Sequence, residues 1–157
     1  MIDLPVAQSR LRAGTWTGPA SLCSLDYDAR FLRRKVLATA DGQHFLVDLA
    51  QTTSLEHGDA LELSDGTRVQ IAAAPEPVLQ VSGTNITQLA WHIGNRHTPC
   101  QILPDMLVIR DDPVIADMLR HLGAIVAVAK LPFTPEGGAY GHGRTHSHAH
   151  GATAHDH

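Results

Sequence analysis

At 157 residues the chain allows one domain or two small ones, and 43% hydrophobic content with only three Phe, two Trp and two Tyr implies modest aliphatic cores. Sixteen acidic residues against twelve Lys and Arg give a net charge of -4, which argues against a general nucleic-acid binder. The two cysteines, Cys23 and Cys100, are far apart and form no Cys-x-x-Cys, so neither a disulfide framework nor a sulfur-based zinc site is indicated. No apolar run approaches the length of a bilayer and the amino terminus lacks the apolar core of a signal peptide, so the expectation is a cytoplasmic protein with no membrane contact.

Residues 1–73 alternate in the manner of strands broken by turn dipeptides. Phe31 to Thr39 and His44 to Leu49 flank Asp41-Gly42, and Ala60 to Leu63 and Thr67 to Ile71 flank Asp65-Gly66; each pair predicts a hairpin. In the second, Leu61, Leu63, Val69 and Ile71 share one side, while Glu62, Arg68 and Gln70 share the other. Arg30, Arg33, Arg34 and Lys35 form the one concentrated basic cluster, read as a strand edge guarded against aggregation in preference to a docking surface. Two prolines in Ala72-Ala73-Ala74-Pro75-Glu76-Pro77 predict a short extended linker and a domain boundary.

Beyond it, strands and helices alternate. Val78 to Val81 predicts a strand, and Asn85 to Ile93 a helix that Asn85 caps, with Gln88 completing a capping box and Ile86, Leu89, Ala90 and Ile93 on one face. Gly94 and Asn95 predict a left-handed stop, and Pro99 forbids resumption. His97 then follows the helix end, in the negative end of its dipole, where a proton or a metal cation is favoured. Gln101 to Leu103 and Met106 to Arg110 predict a hairpin turned at Pro104-Asp105. Asp112 caps a second helix with Pro113 at its first position, a stripe of Val114, Ile115, Met118, Leu119 and Leu122, and Gly123 at its end. Ala124 to Leu131 predicts the last strand. The order βαββαβ is that of the ferredoxin-like fold. The fold class is therefore α+β: an all-β domain over 1–73, a ferredoxin-like domain over 74–136, and a disordered His-rich tail over 137–157.

The tail holds six of the eleven histidines: His142, His146, His148, His150, His155 and His157. Imidazole is the commonest transition-metal ligand, so a spaced histidine tract on a Gly/Ala/Ser backbone can wrap nickel, copper or zinc. The run is interrupted, unlike a purification tag. His44, His57 and His121 have no matching ligand nearby in sequence and are expected to be structural or solvated. His92 and Cys100 are left out of the site.

Leu89-Ala90-Trp91-His92-Ile93-Gly94-Asn95-Arg96-His97-Thr98-Pro99, the Asp117-Met118-Leu119 helix with Gly123 beyond it, and Pro132-Phe133 followed by Pro135-Glu136-Gly137-Gly138-Ala139-Tyr140-Gly141-His142-Gly143 resemble the UreE family of urease accessory proteins. The match extends in outline over the whole chain and is specific in its second half. The resemblance implies a β domain ahead of a ferredoxin-like one, and a cytoplasmic, non-enzymatic homodimer that binds nickel and hands it to the GTPase UreG and, through the UreG-UreF-UreD assembly, to apo-urease. On this reading His97 and the six tail histidines hold the metal. Some relatives carry extra histidines ahead of the second helix, where this chain has Arg110-Asp111-Asp112-Pro113, so more of the metal traffic falls on His97 and the tail. Two alternatives compete. A hydrolytic zinc enzyme lacks His-Glu-x-x-His here; a His-rich metal store with an RNA- or protein-binding β domain would use Arg30 to Lys35.

Overall fold

The computed structural model describes residues 3–137 and Arg144. The chain divides into two compact units, Met1–Ala74 and Pro75–His157. The first unit carries six strands and, among its described residues, no helix: β1 (Val6–Leu11), β2 (Ser21–Leu25), β3 (Phe31–Ala38), β4 (His44–Ser54), β5 (Ala60–Leu63) and β6 (Arg68–Ala73). They form one sheet in the order β2-β6-β5-β1-β4-β3. The β1–β4 and β2–β6 pairs are parallel and the others antiparallel. The β3–β4 and β5–β6 hairpins match the expectation from Asp41-Gly42 and Asp65-Gly66. In the second, Leu61 lies opposite Val69 and both are buried, together with Leu63 and Ile71, while Glu62 pairs with Arg68 on the other side.

Two buried polar groups organise this unit, and the sequence pattern singled out neither role. The Asp59 carboxylate accepts from the Ala13 and Glu56 amides, each at 2.9 Å, and from Arg10 Nη1 at 3.1 Å. Arg30 is 1% exposed and does not belong to the exposed basic cluster assigned to it. Its guanidinium donates to the carbonyls of Leu55 at 3.1 Å and Leu25 at 3.0 Å and lies over the Tyr27 ring. Once these interior carbonyls recruit it, only Arg33, Arg34 and Lys35 are left on the exposed strand β3, the outermost of its sheet.

The second unit contains β7 (Pro75–Ser82), α1 (Ile86–Asn95), β8 (Gln101–Ile102), β9 (Leu107–Arg110), α2 (Pro113–His121) and β10 (Ile125–Pro132). Its sheet has the order β10-β7-β9-β8, with every neighbouring pair antiparallel. The stretch 72–77 is not a linker: it is strand on both sides of Ala74. The prolines are tolerated because β7 has no β9 neighbour below Val78. Pro77 O accepts from Asp111 N at the end of β9, so the missing amide hydrogen of Pro77, and by alternation that of Pro75, would point along that open side.

Both helices lie on one face of this sheet. Leu79 and Val81 from β7 and Leu107 and Ile109 from β9 pack with Leu89 and Ile93 of α1 and Ile115, Ala116 and Leu119 of α2. Asp112 caps α2 as expected, accepting from Val114 N at 2.9 Å and Ile115 N at 3.2 Å, with Pro113 at its start. Val114 is exposed and Ala116 takes its place in the stripe, because the buried face of α2 is centred on Ile115 and Leu119. Asn85 precedes α1 but makes no capping bond. Its Nδ2 donates instead to Leu122 O at 3.2 Å, so it ties the start of α1 to the end of α2.

Replacing Asp59 with Ala strands the Ala13 and Glu56 amides and takes the carboxylate from Arg10, whose Nη1 keeps only the Ser54 carbonyl at 3.2 Å. Urea unfolding of Asp59→Ala is expected to show a loss of about 3 kcal/mol, discounted for the partial exposure of Arg10.

Candidate metal centre

Ile86, Leu89, Ala90 and Ile93 all join the core of the second unit, which fixes α1 against the sheet and so fixes where its carboxyl end lies. The helix runs through Gly94 and ends at Asn95, and neither residue is left-handed. Arg96 is the last near-helical residue, and His97 takes the left-handed conformation at φ 57. His97 N donates to Gly94 O at 2.9 Å and Thr98 N donates to Ile93 O at 3.3 Å. This pair of bonds is the Schellman closure, which consumes two otherwise orphaned carbonyls of the last turn.

Helix α2 ends the same way and provides an internal comparison. Gly123, at φ 91, donates to Arg120 O at 3.0 Å, and Ala124 donates to Leu119 O at 2.9 Å. The left-handed position is held by glycine in α2 and by histidine in α1. A side chain there costs about 1–2 kcal/mol that glycine avoids. His97 is the one non-glycine residue with positive φ among the described residues, and its imidazole is exposed. Sequence reasoning placed His97 correctly just past the helix but assigned the left-handed turn to Gly94-Asn95, two residues early.

Among the described residues no group of three or more His, Cys, Asp or Glu side chains is placed to hold a metal ion. Cys100, three residues beyond His97, is not a ready thiolate: burial, with the Glu136 carboxylate adding to it, pushes its thiol up to about 11. A thiol must be deprotonated to bind metal, so Cys100 is a poor ligand at neutral pH. Asp112, ahead of α2, is committed to its helix cap. His57 Nδ1 accepts from Ala73 N at 3.1 Å, a structural role, and His44 and His121 are exposed. His92 meets Trp91 edge-on at 5.1 Å. Among the described residues His97 is thus an exposed imidazole with no second ligand of this kind gathered beside it.

His142, His146, His148, His150, His155 and His157 lie outside the described residues. The segment leading to them is described, and nothing in the sequence pattern foretold its course. After β10 the chain buries Phe133, then Thr134 N donates to Gln101 Oε1 at 3.0 Å and Glu136 N donates to Cys100 O at 2.9 Å. The chain thus passes alongside the residues that follow the His97 loop.

Residues 76–157 match the family model described as UreE urease accessory protein, C-terminal domain, and residues 5–74 match that of the UreE urease accessory protein, N-terminal domain. The chain is similar to the urease accessory protein UreE of Ruegeria pomeroyi, 56% identical over 149 residues that cover 95% of this chain and 100% of the relative. It is similar to that of Cereibacter sphaeroides, 59% identical over 152 residues, 96% of this chain and 83% of the relative. The corresponding figures for Rhodobacter capsulatus are 57% over 141 residues, 90% of each.

Two substitutions separate the imidazole from its backbone. His97→Gly is expected to raise thermal stability, by about 0.5–1 kcal/mol after allowing for the more flexible unfolded chain, whereas His97→Ala keeps a side chain at positive φ and gains nothing. A stability gain in neither variant would remove the strain assigned to this position.

Proposed function

The chain belongs to the family of UreE urease accessory proteins, and from that premise we propose that it is a non-enzymatic nickel carrier that loads apo-urease during metallocentre assembly. The observation that supports this most is the exposed His97 imidazole in a left-handed position that glycine fills in α2. A costly residue at an exposed helix end is accounted for by ligand binding more readily than by packing. The strand order β10-β7-β9-β8, with α1 and α2 as crossovers, supports a ferredoxin-like domain over 74–136. The strands of the first unit support an all-β domain over 1–73, and the His-rich tail occupies 137–157.

A single imidazole does not retain a metal, and an incomplete donor set within one chain has two sources of completion. A two-fold axis running beside His97 would bring a second His97 to the same ion, because residues on the axis of an isologous contact meet their own copies. The tail adds His142, His146, His148, His150, His155 and His157. Imidazole donors suit nickel, and zinc or copper in vitro, since the order of divalent affinities places copper above nickel at most such sites. A site assembled from ligands of separate origin suits loading and release of cargo, whereas catalysis requires a preorganised one. Handover to UreG and the UreG-UreF-UreD-urease assembly, in the cytoplasm, completes the reading. Burial of Arg30 removes one of four cations from the cluster that an RNA-binding alternative needs. No helix among the described residues is long and apolar enough to cross a membrane.

His97→Ala is expected to abolish the tightest metal site while leaving the dimer folded; an unchanged high-affinity phase would take His97 out of the site. Deleting residues from Gly143 onward lowers the number of nickel ions bound, with folding almost unchanged, and aggregation of the shortened chain would contradict this. Imidazole ligands compete with protons, so binding weakens as pH falls through about 6.5, where free histidines protonate. Metal that prefers the dimer must stabilise the dimer. Sedimentation is therefore expected to show nickel tightening self-association at about pH 7.5 and losing that effect near pH 5. Tight nickel binding with an unchanged monomer–dimer constant at both values would favour a site within each chain.

A further inference from the structure

β3 and β10 are each the outermost strand of a sheet, and they are built in opposite ways. β3 carries Arg33, Arg34 and Lys35 and a register irregularity. β10 lies opposite β7 from Ile125 to Pro132 without a break, and Lys130 is its one charged residue. On it Ile125 is 68% exposed and Val128 71%. A long, regular, apolar edge is a template for a further strand. We infer that the open edge of β10 pairs antiparallel with the same edge of a second copy of this chain, joining the two four-stranded sheets into one.

The directions of the backbone groups select a second copy as the occupant. Pro77 O accepts from Asp111 N, so the backbone of Pro77, Leu79 and Val81 faces β9 and that of Glu76, Val78, Gln80 and Ser82 faces β10. Their partners Leu131, Ala129, Ala127 and Ile125 face back to β7. Val126, Val128 and Lys130 therefore turn their amides and carbonyls outward, where β10 has no neighbouring strand among the described residues. This open stretch is closed at both ends: the Ala124 amide is spent on Leu119 O at 2.9 Å, and Pro132 has no amide to give. A two-fold axis through Val128 uses the stretch completely. Val128 then lies opposite its own copy, Val126 opposite Lys130 of the partner subunit, and Lys130 opposite Val126 of the partner subunit, and each pair exchanges two backbone bonds. Sliding the copy by two residues either way brings Ala124 or Pro132 into the ladder and loses donors. The same register sets the exposed Val128 against itself on the helix side of the sheet, and Ile125 against Leu131 of the partner subunit on the other side. The two Lys130 ammonium groups stand four residues apart along the ladder, about 13 Å, where physiological salt screens their repulsion. Residues 125–132 contain no His, Cys, Asp or Glu, so this contact needs no metal and is separable from association through His97.

The test is sedimentation of the full-length protein over a range of concentrations with a metal chelator present. A dimer is expected there, and equally in His97→Ala. Val128→Pro removes the central outward amide and leaves every bond to β7, so it is expected to weaken this dimer about tenfold or more while thermal unfolding of the dilute chain is little changed. Val128→Lys, a second route at the same exposed position, sets like charges face to face and is expected to do the same. Under mild oxidation Val128→Cys is expected to crosslink two chains above the level of the parent protein. Ile125→Cys is almost as exposed but lies six residues from its own copy in this register, and is expected to stay at the parent level. A chain that is monomeric in chelator overturns the proposal, leaving the edge to an extended segment of some other protein, and does not touch the His97 reading. A dimer that survives both Val128→Pro and Val128→Lys also overturns it, as does equal crosslinking from Ile125→Cys and Val128→Cys.

Discussion

Burial of Leu89 and Ile93 against Leu79, Val81, Leu107 and Ile109 fixes where α1 ends, and the candidate centre depends on that end. A helix held by two fully buried side chains cannot slide, so its last turn presents the same carbonyls to the same loop. Those of Ile93 and Gly94 are consumed by the amides of Arg96, His97 and Thr98, and this closure requires a left-handed residue at position 97. The backbone of His97 is thereby held on a fixed corner and not on a free loop. The same closure at Gly123 shows what the chain uses when no side chain is wanted there.

The surroundings of that corner keep other donors out. Cys100 is near but held as a thiol by burial and by Glu136. Asp112 is near the start of α2 but spends its oxygen on two amides. On the reading proposed above, affinity at His97 would be set by the ligands brought to it from elsewhere.

The first unit shows how charge is managed in a small aliphatic fold. Arg30 and Asp59 are buried and satisfied mainly by backbone groups, so they brace loops that would otherwise leave polar atoms dry. On the edge strand β3, Lys35 lies opposite the buried Val47 and two residues from the buried Leu37, which puts a charge on the core side of the sheet's margin. Together with Arg33, Arg34 and the register irregularity between Leu32 and Arg34, it makes a poor template for another strand. The guarded-edge reading of the basic cluster gains support for three of its four members.

Local pattern was sufficient wherever the deciding interaction was local. Alternation and Asp-Gly turns marked the β3–β4 and β5–β6 hairpins, the Asp112-Pro113 start marked α2, and the succession of periods placed β7 to β10 and both helices in order. His97 stood out because its neighbours fix a helix end within a few residues. What the sequence alone left open were features set by partners distant along the chain. Arg30 looks like its exposed neighbours until Leu55, twenty-five residues away, offers its carbonyl. Asn85 looks like a cap until Leu122 O competes for its amide. The left-handed position falls at His97 and not at Gly94-Asn95, where the closing bonds run from His97 N and Thr98 N back to the carbonyls of Gly94 and Ile93. Gln101 carries no motif, and its contact with Thr134 exists only because β10 ends where the chain must cross to β8. Composition and periodicity report what a segment prefers; which buried carbonyl needs a donor, and which side chain arrives to supply it, is decided by the packed fold.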